Sequence, residues 1–230
     1  MRNWLLWLAL LSGWLRADTL LYKEAFRGDG AHWRAESEAS SLLVFDEETS
    51  MLIHNKEGIT VWYLARLTAP VTISYTAKVL STGRVSDLNC FWMATDPARP
   101  DGQLFVPGVT RDGRFSTYDS LRTYYVGYGG NNNTTTRFRR YDGHGARPLL
   151  PQHDLSAPQF LLIPDHAYRI TLVAGADGRV QFIRDGEVVF DWQDPEPLRG
   201  GWFGFRSVDS KIEISDFQIH AGVPVSATGQ

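Results

Sequence analysis

Apolar and polar positions along this chain alternate in short runs, with little of the three-to-four spacing of an amphipathic helix. Twelve runs stand out: Leu20–Phe26, Leu42–Phe45, Ile59–Leu64, Val71–Leu80, Leu88–Ala94, Tyr124–Tyr128, Thr134–Tyr141, Tyr168–Val173, Val180–Arg184, Glu187–Trp192, Trp202–Arg206 and Ile212–Ile219. They are rich in β-branched and aromatic residues and bounded by Gly, Asp, Asn and Pro, which predicts strands. Asp177-Gly178 and Asp185-Gly186 each separate two runs. Asp-Gly suits the positive φ angles of tight turns, so two consecutive hairpins are predicted there. A dozen short strands without a repeat or a linker predict an all-β chain, folded as a two-sheet antiparallel sandwich or jelly roll. The longest stretch without a strand pattern is Asp142–Pro158, as expected of a functional or mobile loop.

The chain has 230 residues, 43% of them hydrophobic and 13% aromatic, enough to build a large core and too apolar for a disordered chain. The formal net charge of −3 argues against a strongly basic nucleic-acid binder. Met1-Arg2-Asn3, the apolar run Trp4–Leu15 and Ala17 have the layout of an export signal. Residues 1–17 are therefore expected to be removed, leaving 18–230 as one exported domain, periplasmic or extracellular. The other reading of the run is a buried N-terminal helix. No second apolar run is long enough to span a membrane. Cys90 is the only cysteine, so no intramolecular disulfide forms, and its apolar neighbours predict a buried thiol.

Three groups of residues carry a family resemblance. Leu21-Tyr22-Lys23-Glu24-Ala25-Phe26 followed by Trp33 resembles the first strand of concanavalin A-like jelly rolls of bacterial carbohydrate-active proteins. Gly201-Trp202-Phe203-Gly204-Phe205-Arg206, then Ile212-Glu213-Ile214-Ser215-Asp216-Phe217, resembles their last two strands. Tyr124–Asn131 leading into Thr136–Tyr141 resembles uncharacterised YesU-related domains found with pectin-degradation genes. The resemblance implies a concanavalin A-like jelly roll and a carbohydrate partner. It also implies a structural calcium ion tying the first and last strands together, with Glu24 and Asp216 as oxygen ligands; the alternative is two edge carboxylates in water. No cofactor is expected for the chemistry itself.

Charge singles out one segment. Residues 111–147 hold seven arginines (Arg111, Arg114, Arg122, Arg137, Arg139, Arg140 and Arg147) against Asp112, Asp119 and Asp142. Arginine forms bidentate pairs with carboxylates and stacks on rings. Alternation along Thr134–Tyr141 puts Thr135, Arg137, Arg139 and Tyr141 on one face and Phe138 on the other, more core-directed one. A face of Arg, Tyr and Asn suits an acidic sugar: guanidinium for the uronate carboxylate, a ring for the pyranose, an amide for hydroxyls. The blander reading is a solvated strand whose arginines pair with nearby acids.

Two reactions cleave such a sugar. Hydrolysis needs two carboxylates flanking the bond, and no such pair is evident; Asp46-Glu47-Glu48 reads as a solvated cluster. β-Elimination needs the uronate carboxylate neutralised, here by Arg137, Arg139, Asn131 and Asn133, and a proton-transfer group, here Tyr141, Tyr125 or His144. Arg122, Tyr118, Tyr124, Thr135, Asn89 and Trp92 are the further expected sugar contacts. His144, His153 and Asp154 share the long loop and could converge on an ion. The leading expectation is a polysaccharide lyase acting on an acidic polysaccharide. The alternatives are a non-catalytic carbohydrate-binding protein and a glycoside hydrolase whose acids pair only in space.

Overall fold

The computed structural model describes residues 19–222, apart from 29, 38–41, 46–48 and 109–110. The expected export signal and the Asp46-Glu47-Glu48 cluster lie outside the described residues. The strands in chain order are β1 (Thr19–Lys23), β2 (Trp33–Ser37), β3 (Leu42–Phe45), β4 (Ser50–His54), β5 (Gly58–Tyr63), β6 (Leu67–Thr68), β7 (Val71–Val79) and β8 (Asn89–Thr95). Then follow β9 (Arg122–Gly129), β10 (Thr135–Asp142), β11 (Asp154–Leu155), β12 (Tyr168–Ala174), β13 (Arg179–Arg184), β14 (Glu187–Gln193), β15 (Gly200–Val208) and β16 (Lys211–Ala221).

They form two antiparallel eight-stranded sheets. The first runs β14-β13-β12-β7-β16-β4-β3, with β1 also paired to β16. The second runs β11-β10-β9-β8-β15-β5-β2, with β6 paired to β15. Each of the twelve predicted runs contains a strand. Both Asp-Gly turns close hairpins, between β12 and β13 and between β13 and β14. Asp185 and Gly186 both have positive φ, at 53° and 84°, as such a turn requires. The pattern missed β2, β4, β6 and β11. In β2 only Trp33 joins the main core; the rest of the strand, Arg34-Ala35-Glu36-Ser37, has no apolar alternation, and its buried Glu36 faces the other side of the sheet.

Between the sheets lies the main core. Ile73, Tyr75 and Phe217 of the first sheet pack in one cluster with Cys90, Val126 and Phe205 of the second. Cys90 is a buried thiol, pushed up to about 12 by desolvation, with its hydrogen bond to Tyr75 opposing, so it carries no reactive thiolate. A second apolar cluster sits on the opposite face of the second sheet. There the segment between β8 and β9 folds back over Trp62, Phe91, Tyr125 and Trp202 and contributes Leu104, Tyr118 and Leu121. Gly204 leaves room for this layer: a Cβ there would come 2.6 Å from the Trp62 ring. No helix among the described residues is long and apolar enough to cross a membrane.

His153 packs edge-on to Phe138, Phe190 and Trp192 in the main layer and is nearly fully buried. Desolvation lowers its pKa below the ordinary value near 6.5. The unfolded chain therefore protonates first. The stability that depends on neutral His153 is complete above the unfolded pKa and is lost as pH falls through it towards the folded one. Melting temperature should drop more steeply between pH 7.5 and 5 in the wild type than in His153→Leu; parallel pH profiles would refute this assignment.

Candidate functional site

The segment between β8 and β9 covers part of the second sheet's outer face and leaves the rest open. Its seating depends on Glu36 in β2. Glu36 Oε2 accepts hydrogen bonds from Trp62 Nε1 at 2.8 Å, Arg111 Nε at 3.1 Å and the Tyr118 hydroxyl at 3.2 Å. Arg111 also donates to the Leu104 carbonyl at 2.9 Å. Glycine permits the closest approach. A Cβ on Gly58 of β5 would come 2.2 Å from the Gly113 carbonyl oxygen, and one on Gly113 would come 2.7 Å from Ser37 Cα.

Beside this covered part lies a groove of about 430 Å³. Its floor is Gly127 of β9, Asn89 of β8 and Arg206 of β15. Gly127 has no side chain to compete with Tyr125, whose hydroxyl would lie 3.1 Å from a Cβ at that position. Arg137, Arg139 and Thr135 of β10 form one side, and Phe115 and Arg147 form an end. At the strand ends stand Arg84, Asp87 and Asn131. Among the described residues the lining therefore holds five arginines, with Asp87 as the one carboxylate.

Some of these charges are already matched. Arg137 makes a bidentate pair with Asp154, at 2.8 and 3.2 Å. Arg147 approaches Asp119 at 3.3 Å, and Arg84 approaches Asp87 at 3.0 Å. Arg139 donates to the Arg147 carbonyl. Arg206 donates to the Gly113 carbonyl at 2.8 Å and to Thr60 at 3.2 Å, under the rings of Phe115 and Tyr118. Among the described residues, neither Arg139 nor Arg206 pairs with a carboxylate. Burial lowers the Arg139 pKa, though a guanidinium remains charged. Two buried polar atoms of the floor, Asn89 Oδ1 and Arg206 Nε, have no hydrogen-bond partner.

The predicted residues divide by strand parity. Tyr125, Arg137, Arg139, Thr135, Asn131 and Asn89 meet at the groove. Tyr124 and Trp92 point the other way, into the main core. Tyr124 is fixed there by Asp194 at 2.7 Å, which also receives Arg140 Nε at 2.9 Å. That ion pair explains how an arginine sits on the same face as Phe138. Tyr118 and Tyr141 are fully buried in the second cluster. Burial pushes the Tyr141 phenol up to about 12, with Arg147 opposing. Burial, then Tyr141, raises Tyr125 well above the usual phenol range. Asn133 uses both ends of its amide on Leu162, at 2.8 and 2.9 Å, and so clips a loop. Arg122 is half-buried and approaches Glu196 at 3.8 Å, away from the groove lining, and His144 is exposed in the turn beyond β10. With His153 buried and Asp154 on Arg137, the loop's His and Asp do not converge on an ion. Among the described residues no group of three or more His, Cys, Asp or Glu side chains could hold a metal.

Sequence reasoning missed Arg206, Arg84, Asp87, Phe115 and the groove role of Arg147. Arg206 had a signal, since an arginine ending the apolar strand Trp202–Arg206 shares parity with Gly204. The others reach the groove from loops and have none.

A family model described as a domain of unknown function, DUF6250, matches residues 53–217. The chain belongs to that family. No curated protein matches the sequence. Among solved structures, a Bacillus subtilis protein of unknown function with a galectin-like fold is similar at 20% identity and a TM-score of 0.68, over 89% of this chain and 98% of that one. The carbohydrate-binding module CBM66 of Bacillus subtilis is similar at 12% identity and 0.56, over 83% and 96%. The luminal domain of VIP36, in a form bound to Ca²⁺ and Man3GlcNAc, is similar at 14% identity and 0.54, over 86% of each chain. These likenesses show the fold, a galectin-like or concanavalin A-like jelly-roll sandwich of a kind seen in carbohydrate-binding proteins.

The implied calcium does not fit Glu24 and Asp216. Glu24 Oε1 accepts the amides of Ala25 and Phe26 at 2.8 and 2.9 Å, and Oε2 accepts the Tyr22 hydroxyl and Trp33 Nε1 at 2.6 and 2.9 Å. Desolvation alone would raise its pKa, but these four bonds bring it below the usual range. Both oxygens are committed to protein donors, leaving a cation no coherent ligand set. Asp216 is exposed and accepts from Thr76 at 3.1 Å.

Glu36→Gln should test the seating of the insertion. It removes the nearer of the two carboxylates around the buried Arg111, leaving Asp96 at 3.9 Å, and the lost charged hydrogen bond costs about 2–3 kcal/mol. In a domain of this size that is a fall on the order of 10 °C in melting temperature, with faster proteolysis between residues 96 and 121. Asp154→Asn, breaking an exposed pair, should cost under about 1 kcal/mol. Equal effects would show that Glu36 is not the fastening point.

Proposed function

We propose that this chain, exported as the single domain 18–230, binds an acidic, uronate-containing carbohydrate in the arginine-lined groove. The observation that carries the reading is the imbalance of five arginines against one aspartate, with Arg139 and the buried Arg206 lacking acidic partners. A uronate carboxylate supplies the missing charge, and bidentate geometry favours it over a neutral sugar. Asn89 Oδ1 needs a donor, which a sugar hydroxyl provides. The half-buried Phe115 offers ring surface. Carbohydrate-binding proteins among the similar folds support the class of ligand, and kinship with YesU-related domains belongs to the same proposal.

One observation favours a second reading, elimination. The Tyr125 hydroxyl lies over Gly127 beside the arginines that would neutralise the carboxylate. It is held protonated, so it suits a general acid for the leaving oxygen better than a base. Hydrolysis has less support, since it needs two carboxylates and the groove lining supplies only Asp87.

Titration with uronate and matched neutral oligosaccharides tests the proposal. Uronates should bind and neutral analogues should bind weakly or not at all. Arg139→Ala should weaken uronate binding about 10- to 100-fold, the worth of a charged hydrogen-bonded contact, without changing the melting temperature by more than a few degrees. Because no histidine lines the groove among the described residues, affinity should stay flat between pH 5 and 8 and survive His144→Ala. Undiminished binding in Arg139→Ala would sink the site assignment. Ultraviolet absorbance from an unsaturated product, abolished by Tyr125→Phe, would establish elimination; unchanged sugars would leave binding as the activity.

A further inference from the structure

We propose that the groove receives the end of an acidic saccharide chain and not its middle, an inference that rests on the reading of the groove as an acidic-carbohydrate site. A saccharide lying on this face from Arg137 and Arg139 to Arg206 crosses the strands in the order β10, β9, β8, β15. An internal segment would need both sides of that path open, and one side is shut. Next after β15 come β5 and β2, and Gly113 is seated on both, against Gly58 and Ser37, with no room for even a methyl group between. Arg206 fastens the stop through its 2.8 Å bond to the Gly113 carbonyl. Trp62 and Glu36, further along the same face, are sealed from solvent. On the other side the path opens: the Arg137 and Asp154 side chains are 30% and 36% exposed, and Asn131 is exposed.

The closed side is also where the unmet polar atoms lie. Arg206 is only 2% exposed, pairs with no carboxylate among the described residues and has Nε unpartnered. Asn89, pairing opposite it in the sheet, is 4% exposed with Oδ1 unpartnered. Buried polar atoms in native proteins are normally satisfied, and a pair left open at the dead end of a groove marks a place for a ligand's own polar groups. The terminal uronate would place its carboxylate against Arg206 and a hydroxyl against Asn89 Oδ1. The next residue would meet Arg139, and the rest of the chain would leave over β10 past Arg137.

Calorimetric titration with homouronides of defined length, from dimer to polymer, reads this directly. One protein should bind per saccharide chain at every length. The capacity of a fixed mass of polymer should rise in proportion to the number of ends when it is partly hydrolysed. A stoichiometry that grows with chain length overturns end recognition and leaves the groove reading standing. Absence of binding to every uronide overturns both. Arg206→Lys keeps the buried charge but loses the planar fork and its bonds to Gly113 and Thr60, and should weaken the dimer at least about tenfold while lowering the melting temperature by only a few degrees. Full dimer affinity in that variant overturns the placement of the terminal carboxylate, and should the variant not fold, the stoichiometry of the wild type still decides.

Discussion

Glu36 and Arg111 are both buried, and charges in that position persist only when partner and hydrogen bonds are supplied together. Here the supply is shared among parts distant in sequence. Glu36 comes from β2, Trp62 from β5, and Arg111 and Tyr118 from the insertion between β8 and β9. One carboxylate oxygen thus fixes the insertion's position on the sheet. The insertion in turn decides how much of the outer face remains a groove, brings Phe115 to its end and sets Gly113 against Arg206. Without that contact the outer face of β5 and β2 would be open to solvent, and the groove would have no closed side.

The same economy of charge separates scaffolding arginines from available ones. Arg111, buried against Glu36, and Arg140, half-buried against Asp194, hold the layers together. Arg137 and Arg147 have acids of their own, at positions solvent can reach. Exposed pairs of this kind are worth little, so a ligand carboxylate can compete for either arginine at small cost. Among the described residues, Arg139 and Arg206 face no competition from a protein acid. A gradient follows, from exchangeable charge at the open edge to uncompensated charge at the depth of the groove.

Much of this was legible in the sequence, for reasons of period. Alternation along Thr134–Tyr141 separated the arginine face from Phe138, and the two Asp-Gly turns set the hairpins. The same rule limits what adjacent aromatics can do. Tyr124 and Tyr125 cannot both face the groove, and only the strand's orientation, which sequence does not give, decided that Tyr125 does. Asn131 and Asn133 divided in a similar way: both take positive φ in the turn Gly130–Asn133, yet one lines the groove and the other clips Leu162. Glu36 and Asp87 were unreadable because a lone acid carries no signal until the residue it meets is known. Tyr118 and Tyr141 were legible as aromatic and near arginines, but the insertion that buries them acts through tertiary contacts alone.

The burial of those phenols also bears on what the groove can do to a sugar. Elimination needs a base, and a phenol becomes one only when positive charge outweighs desolvation. At Tyr125, Arg206 pulls the pKa down, but burial and the neighbouring Tyr141 pull harder the other way. An incoming uronate carboxylate adds negative charge, which opposes ionisation further unless the arginines neutralise it completely. The arginines therefore cannot both bind the substrate anion and create a phenolate at full strength. A positive field around a phenol that keeps its proton therefore suits the proposed holding of an acidic sugar better than its cleavage.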